Sequence, residues 1–117
     1  MTSIELANTV CKALSEKKAQ DIVIVDVGGK TVVCDYFVIA SGRSTTQVRA
    51  LADNVDERLS QWSGLEPARK EGVREGRWAV LDYGAVVVHI FNDESRDFYR
   101  LERLWENGEN ITKYVEE

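Results

Sequence analysis

The sequence predicts an α/β fold: one domain over residues 1–117, in which helices flank a mixed β-sheet. Two segments, after Thr2 and after Ser44, carry apolar residues at helical spacing, and apolar runs typical of strands lie between and after them. With 117 residues and 44% hydrophobic composition, the chain has enough apolar material for one core. Because helices and strands alternate, we expect the helices to pack on the sheet.

Both main helices begin at a capping-box pattern, in which a hydroxyl side chain and the side chain three residues later cap the first turn. Thr2-x-x-Glu5 opens a predicted helix over residues 3–17 with an apolar stripe that includes Ile4. Ser44-x-x-Gln47 opens a predicted helix over residues 45–62, which Gly64 caps and Pro67 prevents from continuing.

Several strands are predicted around these helices. The β-branched run Ile22–Val25 predicts a strand buried on both faces, followed by a turn at Gly28-Gly29. Residues 31–34 and 36–40 are expected to form the next strand, and residues 68–72 a short edge strand. Near the end of the chain, residues 110–115 are predicted to form a last helical turn.

The segment 78–105 carries two more predicted strands and a short aromatic helix. If Tyr83-Gly84 is a two-residue turn, Trp78 lies opposite His89 and Val80 opposite Val87. Because side chains point alternately to the two faces of a strand, one face of this strand pair then carries only aliphatic side chains. The other face, called the mixed face below, carries Trp78, Val80, Asp82, Val87, His89 and Phe91.

The mixed face has two interpretations. It is either buried, with His89 hydrogen-bonded and Asp82 ending its strand, or exposed as a binding surface. The following segment favours binding, because Phe98, Tyr99 and Trp105 add aromatic area on a helix too short to be stable alone. We therefore expect the face to be left open by the two main helices.

Composition and charge argue against several functions. A net charge of −5 is poorly suited to phosphate backbones and suits a basic protein partner, so we expect no direct DNA binding. The basic run Arg69, Lys70, Arg74 and Arg77 is interpreted as solvated. With one histidine and two unpaired cysteines, no metal site is expected. Without a signal peptide or membrane span, the chain is expected to be cytoplasmic.

No motif predicts catalysis. The chain has no Gly-x-Ser-x-Gly elbow, no P-loop, no Gly-x-Gly-x-x-Gly and no Asp-x-Asp that could hold Mg²⁺. Ser41–Thr45 lies before a helix and is either an anion-binding loop or, as we favour, a simple helix cap. The sequence therefore predicts a binding module without a cofactor.

The sequence also resembles a known family. The signature is WAVLDYGAVVVHIF followed by ESRDFYRLERLW, with further agreement at residues 20–27 and 35–42. These stretches resemble the ribosomal silencing factor, or Iojap-like, family. The resemblance implies a fold related to nucleotidyltransferases but without their catalytic carboxylates. It also implies binding to ribosomal protein fourteen of the large subunit, which blocks subunit joining and lowers translation when nutrients run short.

The resemblance and the mixed face together give a hypothesis for the partner-binding residues. Asp82 would hold a basic side chain, Leu101 and Leu104 would be shared between helix docking and the interface, and the anchors would be Trp78, Val87, His89, Phe91, Tyr99 and Trp105. The resemblance also implies a possible homodimer. Two alternatives remain: an adaptor in large-subunit assembly, and a residual nucleotide-binding protein.

Overall fold

The computed structural model describes residues 1–29, 33–99, 101, 103 and 109–115, with the backbone alone at 97–99. The described helices are α1 (Ser3–Glu16), α2 (Thr45–Ser63) and α3 (Asp93–Tyr99). The strands are β1 (Gln20–Asp26), β2 (Tyr36–Gly42), β3 (Arg69–Glu71), β4 (Trp78–Asp82), β5 (Val86–Asn92) and β6 (Ile111–Lys113). Within these ranges, no helix is long and apolar enough to cross a bilayer.

The six strands form one mixed sheet in the order β3-β4-β5-β2-β1-β6. The central pair, β2 and β5, is parallel, and the other neighbouring pairs are antiparallel. The predicted fold class, a mixed sheet with flanking helices, is thus confirmed.

The two main helices begin and end as their sequences predict. In α1, the Thr2 hydroxyl accepts from the Glu5 amide at 3.2 Å, and the Glu5 carboxylate accepts from the Thr2 amide at 2.8 Å. In α2, the Ser44 hydroxyl accepts from the Gln47 amide at 3.0 Å, and Gly64 ends the helix in the left-handed conformation. The one exception in the predicted stripe is Ile4, which is 41% exposed.

Helices α1 and α2 pack against one face of the sheet and form the main core. Their buried leucines meet the aliphatic side chains of β4 and β5, including Leu81, Val88 and Ile90. A buried amide joins the two helices, since Asn54 Nδ2 donates to the Ala13 carbonyl at 2.8 Å. The aliphatic face is therefore a helix-packed core, as predicted.

Two predicted elements differ from the structure. The predicted helical turn at 110–115 is wrong, because residues 111–113 form β6 and pair with the free edge of β1, where Ile111 lies opposite Val25. The predicted strand at 31–34 is also not found where it is described, since Val33 and Cys34 lie outside any strand, and residues 30–32 fall outside the described ranges. The other predicted strands are confirmed with shifted ends.

The register of the β4–β5 hairpin differs from the predicted one by two residues. The Tyr83 amide donates to the Val86 carbonyl at 2.9 Å, so Gly84 and Ala85 form the turn, and Gly84 takes a φ of +84°. Trp78 consequently lies opposite Phe91, and Val80 opposite His89. Because side chains alternate with a period of two, this shift leaves every residue on the face that was predicted.

Candidate partner-binding face

The mixed face lies on the side of the sheet opposite α1 and α2, where it joins a second hydrophobic cluster. The buried members of this cluster come from β1, β2 and β5 and from the segments that follow β1 and precede β2: Val23, Val25, Val27, Cys34, Ile39, Val87 and Phe91. Trp78, Val80 and Leu101 pack against it while partly exposed. The mixed face is thus continuous with a core of its own.

The expectation that this whole face is open is wrong at its centre. Phe91 is fully buried, and Val87 and His89 are only 9% and 8% exposed. On the neighbouring strand β4, by contrast, Trp78 and Asp82 are half-buried. The surface that a partner can reach is therefore the β4 side of the mixed face, and the buried β5 side chains support it from below.

The aromatic rings of the mixed face form one packed group. Trp78 stacks on Phe91 with ring centres 4.9 Å apart, because the two residues are a cross-strand pair. Phe37 meets His89 edge to face, also at 4.9 Å. This group fixes the orientation of the Trp78 ring at the accessible edge.

Hydrogen bonding determines the protonation of His89. The Trp78 indole nitrogen Nε1 donates to His89 Nδ1 at 3.0 Å, so Nε2 must carry the proton of the neutral ring. Burial lowers the pKa of His89 to about 4, so the ring is neutral at pH 7. Among the described residues, Nε2 has no hydrogen-bond partner.

A groove of about 230 Å³ runs beside His89 on the mixed face. Phe37, Val80 and Val87 give it an apolar lining, and three charged side chains also line it: Arg69, Glu71 and Asp82. Val33, which also lines the groove, is 75% exposed. An apolar groove with two carboxylates and one guanidinium has a net negative charge, which suits a partner segment that carries both an apolar and a basic side chain.

The remaining predicted partner-binding residues come from the aromatic segment. Leu101 packs against the second cluster and is partly exposed, which agrees with a role in docking that segment. Tyr99 is the last residue of α3, and its side chain is not described. Leu104 and Trp105 lie outside the described residues. Partner contact by any of these residues stays a prediction.

The hypothesis omitted five residues that line the groove: Val33, Phe37, Arg69, Glu71 and Val80. Alternation within residues 36–40 indicates which side chains share a face with Phe37, but it does not indicate the neighbouring strand. Phe37 comes next to Val87 only because β2 and β5 pair in parallel across a long stretch of chain. That pairing has no local sequence signal.

The Ser41–Thr45 loop is used for helix capping and packing. The Gln47 amide donates to the Ser44 hydroxyl. Gln47 Oε1 accepts at 2.6 Å from the amide of Arg43, the residue before the N-cap, instead of from the Ser44 amide that the predicted capping box would use. A side chain at Gly42 would come within 3.1 Å of Val48, which places the loop directly on α2. This geometry favours the cap over the anion-binding alternative. In the described part of the chain, no three metal-binding side chains come together.

Comparison with known proteins identifies the family. The family model described as "Ribosomal silencing factor during starvation" matches residues 1–117. The ribosomal silencing factor RsfS of Halalkalibacterium halodurans is 35% identical over 111 residues, covering 95% of this chain and 94% of the relative. RsfS of Bacillus subtilis is 36% identical over 105 residues, covering 90% and 88%.

Two further similarities extend the comparison. A crystal structure of a Chromobacterium violaceum protein has a TM-score of 0.87 and 33% identity, covering 99% of this chain and 95% of that one. The mouse protein named "Mitochondrial assembly of ribosomal large subunit protein 1" is 33% identical over 94 residues, covering 79% of this chain and 41% of the mouse protein. On the match over its full length and these identities, the chain belongs to the ribosomal silencing factor family.

Proposed function

We propose that this chain represses translation under nutrient limitation by binding ribosomal protein fourteen on the large subunit and blocking association with the small subunit. The observation that carries the proposal is the family match over all 117 residues. The similarity to bacterial relatives supports action in the cytoplasm of a bacterium. Repression then depends on how much of the partner is occupied, that is, on affinity and concentration.

The β4 side of the mixed face is the proposed contact surface. The Trp78 ring is half-buried and held against Phe91, so little side-chain freedom is lost when a partner packs on it. The adjacent groove offers Val80 and Asp82 to the same partner. In this proposal, His89 and Phe91 act indirectly, because they hold Trp78 in place.

Charge supports a basic partner. The chain carries a net charge of −5, and ribosomal proteins are typically basic because they bind RNA. The Asp82 carboxylate accepts from the Gly84 amide at 2.8 Å through Oδ1, which holds it in a fixed position beside the groove. We expect Oδ2 to accept from a lysine or arginine of the partner.

The test is sedimentation of the chain with large subunits, small subunits and a mixture of both. We expect the chain to sediment with large subunits and to reduce the amount of joined ribosomes. Trp78→Ala should weaken binding by about 2–4 kcal/mol, or roughly 30-fold to 1,000-fold. Trp62→Ala is the matched control, since Trp62 is 39% exposed and lies on α2, away from the mixed face.

Three outcomes separate the parts of this proposal. If the wild-type chain binds neither subunit, the proposed function is wrong. If folded Trp78→Ala binds as well as wild type, the function stands and the proposed surface is wrong. If the chain binds large subunits without reducing joined ribosomes, binding does not block association.

The name of the mouse relative supports a second candidate, an adaptor role in large-subunit assembly. This role would use the same face but act on immature particles. Gradient profiles of cells lacking the protein distinguish the two functions. Assembly predicts precursor particles during growth, whereas repression predicts a normal profile in growth and excess joined ribosomes in starvation.

We also propose that the chain forms a homodimer through the mixed face. The exposed Val33 beside the apolar groove supports this, because two copies could cover each other's groove. Sedimentation equilibrium of wild type and Trp78→Ala tests it. A wild-type dimer that the substitution weakens agrees with the proposal, and a monomer at all concentrations contradicts it.

A further inference from the structure

One end of the sheet gathers parts of the chain that are far apart in sequence. Gln20 at the start of β1 lies opposite Ser41 near the end of β2, and Gly42 lies opposite Asn92 at the end of β5. The Asn92 amide donates to the Arg77 carbonyl at 3.0 Å, which adds the residue before β4. We call this region the basic end, and it also includes the end of α1 with the two lysines that follow it, the start of α2, the loop before β4 and the start of α3.

The basic end has the opposite charge to the rest of the molecule. Its described acidic side chains are five: Glu16, Asp21, Glu75, Asp93 and Glu94. Its described basic side chains are seven: Lys17, Lys18, Arg43, Arg49, Arg74, Arg77 and Arg96. The described side chains of the region therefore sum to +2, whereas the other described side chains of the molecule sum to −4. The net negative charge of the chain therefore hides a separation of charge, with positive side chains gathered at one end of the sheet.

The structure divides the basic run seen in the sequence. Lys70 pairs with Asp56 at 2.7 Å, and Arg69 lies 3.9 Å from Glu71, so these two charges are engaged away from the basic end. Arg74 and Arg77 are exposed, and within the described ranges neither forms a salt bridge. Arg43, which comes just before α2, is also exposed and also forms no salt bridge among the described residues.

Several contacts hold these arginines in place. The Arg49 guanidinium donates to the Arg74 carbonyl at 3.0 Å, which ties the loop before β4 to α2. Gly76 in that loop lies so close to Thr45 that an added Cβ would approach the Thr45 carbonyl to 2.5 Å. Across the sheet end, the Arg43 guanidinium lies against the Gln20 amide, and with that amide turned so that its oxygen faces Arg43, the guanidinium donates to it at 2.6 and 2.8 Å. These contacts fix the backbone of the loop that carries Arg74 and Arg77 against the start of α2.

We propose that the basic end contacts phosphate groups of ribosomal RNA when the mixed face binds its protein partner, an inference that rests on the proposed function. Arginine presents several N–H donors that match phosphate oxygens. The two surfaces are continuous, since Trp78 follows Arg77 directly and pairs with Phe91, the neighbour of Asn92. RNA attracts the basic end and repels the rest of the chain, which fixes the orientation of binding.

The test compares two double variants that each change the net charge from −5 to −7. Arg74→Gln/Arg77→Gln removes two charges from the basic end. Lys12→Gln/Lys70→Gln removes two from α1 and β3 on the helix-covered side. Binding to purified large subunits is measured from low to high KCl at constant Mg²⁺, after thermal unfolding confirms that both variants fold.

We expect the arginine variant to reduce the slope of log affinity against log salt by about 1.5, since each phosphate contact contributes roughly 0.7–0.9. Its affinity near 0.1 M salt should fall on the order of tenfold, and the lysine variant should behave as wild type. An unchanged slope in the arginine variant, or an equal change in both variants, would overturn the proposal.

Two further measurements separate this inference from the proposed function. With isolated, RNA-free ribosomal protein fourteen, we expect both charge variants to bind as wild type and Trp78→Ala to bind weakly. Loss of binding in the arginine variant there would assign the basic end to protein instead. With protein-free large-subunit RNA at low salt, wild type should bind more tightly than the arginine variant, and equal binding would refute RNA contact even if the chain binds no subunit.

Discussion

The buried histidine provides a stability test that can be worked out from the structure. Its pKa is lowered by burial to about 4 from an ordinary value of 6.5, so the folded protein disfavours the charged ring. Below pH 6.5 the unfolded chain takes up a proton that the folded chain does not, and folding stability therefore falls as pH falls through this range. The loss ends near the folded pKa, where both states are protonated.

The magnitude follows from the two pKa values. Between pH 8 and pH 5 the difference in proton binding lowers the free energy of unfolding by about 2 kcal/mol, and the full loss by pH 4 approaches roughly 3 kcal/mol. His89 is the only histidine of the chain, so no other side chain with an ordinary pKa near 6.5 contributes. Against a typical domain stability of about 5–15 kcal/mol, this loss is measurable.

The assay is urea unfolding at several pH values, followed by tryptophan fluorescence and circular dichroism. His89→Asn is the control, because its amide oxygen can still accept from the Trp78 indole but the side chain does not titrate. We expect the stability difference between wild type and variant to change by about 2 kcal/mol from pH 8 to pH 5. Parallel curves, or an imidazole NMR titration near pH 6.5, would refute the reasoning.

Two further predictions concern backbone and core. Gly72→Ala should destabilise the fold by roughly 3 kcal/mol or more, since φ is +72° and the new Cβ would lie 2.0 Å from the Trp78 carbonyl oxygen. Gly84→Ala should lower the free energy of unfolding by only about 1–2 kcal/mol, because nothing lies within 4 Å of the new Cβ. Equal losses in the two variants would contradict this contrast. Leu51→Ala, at a fully buried position of α2, should lower the free energy of unfolding by about 2–5 kcal/mol, and a loss below about 1 kcal/mol would show that the site is not well packed.

The helices were predictable because their signals are local. Capping at Thr2 and Ser44, the glycine at position 64 and the apolar stripes all act within a few residues of one another, so the sequence alone predicts where α1 and α2 begin and end. The division of β4 and β5 into an aliphatic and a mixed face was also predictable. Alternation along a strand is a local property, and it survived the two-residue error in register.

Which side chains of the mixed face are buried and which are exposed depended on tertiary structure. Phe91 is buried because the second cluster forms behind β5, with side chains from β1 and β2 that no local pattern brings together. Phe37 entered the groove only through the parallel pairing of β2 with β5. The edge strand β6 formed because the free edge of β1 offered hydrogen bonds to residues that resemble a helical turn when read alone.

The charged residues show most clearly which properties follow from the sequence and which depend on the tertiary structure. The sequence by itself determined the net charge of −5, which suits a basic protein partner and argues against a phosphate backbone. Only the tertiary structure decided where the charges lie, pairing Lys70 with Asp56 while bringing Arg43 to the same end of the sheet as Arg74 and Arg77. The reason is physical: net charge is a sum over the chain, whereas recognition depends on the local field, which is set by charges that folding brings together.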